Sequence, residues 1–213
     1  MSLKLRKATT ADIPALVDIY LSAFSSDAIS LLVFPRGEAT HKFWLDMVTE
    51  EILSPTSHYV CIYDSSLPEN PVVSFAKWND PLAPVETADQ LPPWPENGDS
   101  ELADYFFGTM CNKHHEIMGG TKHWYLEMVA TKTEYQGRGA AGQLLRWGLE
   151  RADQDETVAF LEASPAGKPV YERFGFRERD RLVVNLEGKG KGLPGEEEFI
   201  EVFMVRDITK KGD

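Results

Sequence analysis

Between Ile13 and Phe24 the apolar residues Ile13, Leu16, Val17, Ile19, Tyr20, Leu21 and Phe24 recur three and four positions apart, which predicts an amphipathic helix. Thr9 followed three residues later by Asp12 supplies its N-terminal cap, and Pro14 falls early enough to be tolerated in the first turn. Ahead of it, Leu3 to Arg6 alternates like a short strand. Helical spacing returns from about Thr40 to Leu53 (Phe43, Trp44, Met47, Ile52, Leu53) and from Glu101 to Met118 (Leu102, Tyr105, Phe106, Met110, Ile117). Between these two, Tyr59 to Tyr63 and Val72 to Trp78 flank a turn-forming run from Asp64 to Pro71 and predict an antiparallel strand pair. The proline-rich stretch from Asp80 to Asp99 predicts an irregular excursion, either a wall for a substrate or a surface decoration.

The centre of the pattern is a strand from Trp124 to Thr131, a glycine-rich loop, a helix from about Ala140 to Ala152 and a strand from Val158 to Ala163. A connection of that length predicts a parallel pair with a right-handed crossover. A short helix from Lys168 to Arg173 then stops at Gly175. Two final strands, Leu182 to Leu186 and Phe199 to Val205, flank the glycine- and lysine-rich run from Gly188 to Gly195. The expectation is one α/β (α+β) domain over residues 1–213, with a mixed, mostly antiparallel sheet.

At 42% hydrophobic, 213 residues can bury one sizeable core. No run is long and apolar enough for a membrane span or a signal peptide, so a cytoplasmic protein without a membrane partner is expected. Cys61 and Cys111 form neither a disulfide framework nor a metal-ligand spacing. His114, His115 and His123 lack companion ligands, so no metal is expected. Asp and Glu outnumber Lys and Arg by 34 to 22, for a net charge of −12. That balance argues against nucleic acid as a partner and leans toward cationic small molecules or basic peptides. Lys132, Arg138, Arg146, Lys168 and Arg173 nevertheless cluster in sequence around the glycine loop.

That loop carries the chemistry. Gly137 and Gly139 permit positive φ and close backbone approach, and Ala140, Ala141 and Gly142 open a helix whose first N–H groups have no internal partner. Free amides at a helix N-terminus suit a pyrophosphate. Read as G-x-G-x-x-G, the loop and Glu162, 20 residues beyond Gly142, match a dinucleotide fingerprint. Against it, the polar run Thr131 to Gln136 separates strand from glycine, and the antiparallel remainder lacks further βα units.

Read instead as Q-x-x-G-x-A over Gln136 to Ala141, the loop resembles the GCN5-related N-acetyltransferase (GNAT) superfamily. Leu161-Glu162-Ala163-Ser164 followed by Tyr171-Glu172-Arg173-Phe174-Gly175-Phe176 is similar to a second motif of that family, and Leu5 to Asp12 to its usual start. The resemblance implies the GNAT fold, a mixed sheet whose central parallel pair is splayed by acetyl-CoA between flanking helices. It implies direct acetyl transfer in a ternary complex to a primary amine, on a small molecule or a peptide. Met128, Val129, Ala130 and Thr131 would pair with the pantetheine arm. Gln136, Gly137, Arg138, Gly139, Ala140, Ala141 and Gly142 would take the pyrophosphate. Ser164, where many members carry Asn, would also touch the cofactor. Tyr171 would touch it too and serve as general acid, against a packing role for the same ring. Glu127 is the candidate base, with Glu162 as a second option. A ping-pong route through Cys111 lacks an activating base in sequence. The competing class is a non-catalytic acyl-CoA-binding domain that kept the loop.

Overall fold

The computed structural model describes residues 2–189 and 197–208; most of the glycine- and lysine-rich run before the last strand lies outside them. The elements are β1 (Leu3–Lys7), α1 (Ile13–Ala23), α2 (Ala28–Val33), α3 (Glu38–Glu51), β2 (Ser57–Asp64) and β3 (Val72–Asn79). There follow α4 (Ser100–Met118), β4 (His123–Thr131), α5 (Ala140–Gln154), β5 (Val158–Ala163), α6 (Lys168–Glu172), β6 (Arg177–Asn185) and β7 (Glu198–Arg206). The seven strands form one sheet in the order β1-β2-β3-β4-β5-β7-β6. Every neighbouring pair is antiparallel except β4 and β5.

Local chemistry explains the element ends. The Asp12 carboxylate accepts the Thr9 N–H at 2.8 Å and is clamped by both Arg6 terminal nitrogens at 2.7 Å, which locks the turn leading into α1. That pairing holds Asp12 at a pKa of about 2. Asp27 caps the short helix α2, and Asp99 caps α4, by accepting the N–H groups of Ser30 (2.7 Å) and Leu102 (2.9 Å). Gly119, at φ 55°, ends α4 in the left-handed conformation.

Alternation along the strands gives the sheet two apolar faces. One packs against α1 to α4 through residues such as Phe75, Phe160 and Phe203. The other packs against α5 and α6 through Trp78, Leu126, Leu161 and Val202. On that second face, a Cβ on Gly148 would stand 2.2 Å from the buried Trp78 ring, so only glycine lets α5 lie this close. The Trp78 Nε1–H donates to the Leu144 carbonyl at 3.2 Å, fixing the same contact.

Two elements differ from the sequence pattern. Helix α2 is too short to establish a period. Strand β6 begins at Arg177, five residues ahead of the expected Leu182, because its charged start, Arg-Glu-Arg-Asp-Arg, lies on the outer strand of the sheet, where charges are solvated.

Candidate active site

The parallel pairing of β4 and β5 is brief: His123 to Leu126 against Val158 to Leu161. Beyond that point β4 stays with β3 as far as Thr131, and β5 stays with β7 as far as Ala163. The two strands therefore part like a fork, leaving the β5-side backbone groups of β4 from Glu127 to Thr131 without a strand partner. Glu127 is the extra residue of an irregular register, since Lys77 pairs with Met128 and Trp78 with Leu126. A cleft of about 1430 Å³ runs through the fork, lined by Met128 to Thr131, Gln136, Ala141, Ser164 and Tyr171 at one end and by residues of α1 to α4 at the other.

At the loop end, Gly137 and Gly139 adopt φ of 71° and 83°, and a Cβ on either would meet nothing within 4 Å. Glycine is needed there for backbone conformation, and the space above the loop is open. Gly139 is the residue before α5, so the first amides of the helix face outward unbonded. Gln136 folds back to donate to the Thr131 carbonyl at 3.2 Å, and Tyr135 packs beneath, its hydroxyl 3.4 Å from Asp64. Arg138 lies over the Tyr135 ring and Arg146 over Phe174; the Arg146 guanidinium comes within 3.8 Å of the position a Gly142 Cβ would take. Lys168 is turned away into a 2.7 Å ion pair with Glu178. Ser164 accepts the Gly167 N–H at 3.2 Å, which starts α6 and leaves its hydroxyl proton to donate. This open strand edge, glycine turn and cationic helix start fit a pyrophosphate with an amide-bearing arm.

Tyr171, on α6, is 9% exposed and lines the cleft. Burial, then the charge of Glu201, push its phenol above the ordinary range, so it holds its proton at neutral pH. Gly167 makes room for its ring, since a Cβ there would come within 3.1 Å of Cε2.

At the other end the site is built from buried charge. The Lys77 ammonium lies 2.6 Å from Glu127 and 2.7 Å from Glu51, and its side chain is only 4% exposed. Burial opposes that charge, but Glu127 and Glu51 outweigh it and hold Lys77 protonated. Glu127 also accepts from Asn79 at 2.7 Å, and Glu51 from the Tyr59 hydroxyl. Burial pushes Glu51 up against the pull of Lys77. Glu162, reached by the cleft and bonded by Tyr125, is raised to about 8, mainly by burial and then by Glu127. The Cys111 thiol lines the same cleft but is pushed up to about 11, first by burial and then by the carboxylates Glu86, Glu162 and Glu127, which makes it a poor nucleophile. His114 and His123 meet at 2.7 Å; His123 Nδ1 donates to the Thr121 carbonyl, so its Nε2 accepts from His114 Nε2–H. Burial keeps His114 neutral, its pKa lowered to about 3. The proline-rich excursion forms a wall of the cleft through Pro84, Val85, Glu86 and Trp94, the last stacked on Phe107 at 4.9 Å.

The structure thus brings Glu127, Met128 to Thr131, Gln136, Ala141, Ser164 and Tyr171 to one cleft, with the glycine turn at its edge. Lys77, Glu51, Tyr125 and Glu201 were not singled out by sequence reasoning. Each sits in an ordinary strand or helix pattern, and only the pairing of distant elements gives it a neighbour.

A short parallel pair that forks beside a glycine-led helix frames this cleft. Residues 106–188 match the model of the acetyltransferase (GNAT) domain family. The chain's fold is similar to that of a Corynebacterium glutamicum protein described as histone acetyltransferase HPA2 and related acetyltransferase (22% identity, TM-score 0.62, 98% of each chain covered). It is also similar to a mosquito arylalkylamine N-acetyltransferase like 5b (16% identity, TM-score 0.62, covering 96% of this chain and 99% of that one). A third similar fold is Arabidopsis thaliana NAA60 in complex with a bisubstrate analogue (15% identity, TM-score 0.58, covering 98% and 99%).

Proposed function

We propose that the protein transfers an acetyl group from acetyl-CoA to a primary amine, by direct attack with both substrates bound. The observation that carries this reading is the continuity of one cleft from the glycine turn, past Tyr171, to Glu162 and Glu127. Acetyl-CoA supplies an acetyl thioester. The amides of Gly137 to Gly142, with Arg138 and Arg146 close by, hold its pyrophosphate, and the free edge of Met128 to Thr131 pairs with its arm. One of those strand amides donates to the acetyl carbonyl as charge develops on it.

Glu127, 2.6 Å from the Lys77 ammonium, draws the acceptor ammonium into the fork. Glu162, its carboxyl raised to about 8, takes in its ionised form the proton the ammonium must lose before nitrogen can attack. As the N–C bond forms and the C–S bond breaks, Tyr171 gives its proton to the departing sulfur and regains one from the new amide nitrogen. The acid-lined cleft supports a cationic acceptor: among the described residues, nine lining positions are Asp or Glu and only Lys122 is Lys or Arg.

Calorimetric titration with acetyl-CoA, CoA and NAD, followed by thiol release across an amine panel, tests this reading. Binding of acetyl-CoA and CoA but not NAD is expected, with Tyr171→Phe lowering kcat at least tenfold while acetyl-CoA affinity stays within about twofold. Equal losses of affinity and turnover in Tyr171→Phe would assign the ring to packing. CoA binding without turnover of any amine would support a non-catalytic acyl-CoA-binding domain.

A further inference from the structure

Glu201 is the buried carboxyl in the cleft that this chemistry leaves unused. It stands on β7, one residue before Val202, which pairs with Ala163 at the end of β5. In the same register Glu162 faces Phe203. Side chains alternate along a strand, so Glu201 shares the face of Glu162 at the diagonal position, about 7 Å away. It is only 9% exposed and lines the cleft, and no hydrogen bond or ion pair to its side chain is found among the described residues.

An unpaired carboxyl at that depth is costly, and among the described residues no cation pairs with it. Lys77 is committed to Glu51 and Glu127. Burial, then the carboxylates Glu162 and Asp27, push Glu201 well up. One ammonium clamped between Glu162 and Glu201 would be held in the protonated form that cannot attack. A division of labour avoids this, with one carboxyl taking the proton of the reacting nitrogen and the other meeting a nitrogen that stays charged. Phe199, two residues along β7 on the same face and also lining the cleft, offers apolar contact for methylenes joining the two.

Resting on the acetyltransferase reading, we propose that Glu201 binds a second cationic nitrogen of the acceptor, so that the preferred substrate is a short aliphatic diamine or a longer polyamine whose reacting nitrogen lies beside Glu162.

The test compares diaminobutane with butylamine, matched in carbon count, in the wild type and in Glu201→Gln, a variant of nearly equal size. The diamine should be favoured in kcat/KM by about 30-fold or more. Glu201→Gln should remove most of that preference through KM, leaving butylamine turnover and acetyl-CoA affinity within about twofold. Equal losses for both amines, or no preference in the wild type, would overturn the proposal. Calorimetry of diaminobutane binding to CoA-saturated protein reads the same site without turnover. Wild-type binding that Glu201→Gln weakens at least tenfold would support the Glu201 site even if no amine were acetylated, an outcome that would sink the acetyltransferase reading alone. Unchanged binding in the variant would sink the Glu201 site alone.

Discussion

The two ends of the cleft are built by opposite means. The loop end is contiguous backbone: a strand edge, two positive-φ glycines and a helix start, all between Glu127 and Gly142. The other end, the proposed acceptor end, is assembled from side chains on separate elements, Glu51 from α3, Lys77 from β3, Glu127 from β4, Glu162 from β5 and Glu201 from β7. Backbone amides recognise a phosphate with little dependence on neighbouring side chains, so one end can serve a constant ligand. Buried charges depend on their partners, so the other end can be retuned for its acceptor by single substitutions.

The largest expected effect breaks the loop end alone. A Cβ at position 139 would meet nothing within 4 Å, yet valine there must hold φ near 83°, which a β-branched residue resists. Relaxing that strain turns amides away from the phosphate. Losing two charge-assisted hydrogen bonds at about 2 kcal/mol each predicts roughly 1000-fold weaker acetyl-CoA binding in Gly139→Val by calorimetry. Thermal stability should change by only a few degrees. A loss below about tenfold would show that the glycine conformation does not govern the site.

Next in size, Lys77→Met breaks the acceptor end. It leaves Glu51 and Glu127, both about one-fifth exposed, crowded without their shared cation. Removing one member of a buried ion pair costs 3–5 kcal/mol, and partial exposure places this case near about 3 kcal/mol. For a chain of this size that corresponds to a melting temperature lower by about 6–12 °C. If the two ends are independent, acetyl-CoA affinity in the folded variant stays within about twofold. A large loss of that affinity would mean that the bulge at Glu127 transmits the damage to the strand edge.

The same contrast explains what the sequence discloses. The Gln136 to Gly142 loop and the Tyr171 to Phe176 stretch are read directly because each is local, and local motifs survive as strings. Glu162 stands in such a string and was visible as an option, but its raised pKa comes from burial and from Glu127 across the fork. Lys77 occupies a strand position where nothing nearby marks its burial. Its partners are 26 residues before it and 50 after it, a pairing set by the strand register and by the way α3 crosses the sheet. Glu201 lies in the apolar run Phe199 to Val205, where both alternating sets are otherwise apolar and nothing in the string marks its burial or its neighbour Glu162.

The smallest expected effect sharpens the comparison by separating carboxylates within the acceptor end. Glu162 is faced by Tyr125 and Glu127 from β4, Glu201 from β7 and Cys111 from α4, and Glu86 reaches the same space from the proline-rich wall. It must be ionised to take a proton. The free-enzyme profile of kcat/KM should therefore rise with pH through about 8, the value to which burial and Glu127 raise it. A bound ammonium favours the carboxylate, so the corresponding limb in kcat should fall at lower pH. Glu162→Gln keeps the shape but cannot accept the proton; its kcat should drop about 100-fold and the limb near pH 8 should vanish. If Glu162 were not the base, the Glu162→Gln profile would keep its limb near pH 8. The pH profile, more than the size of the loss, decides whether Glu162 takes the proton.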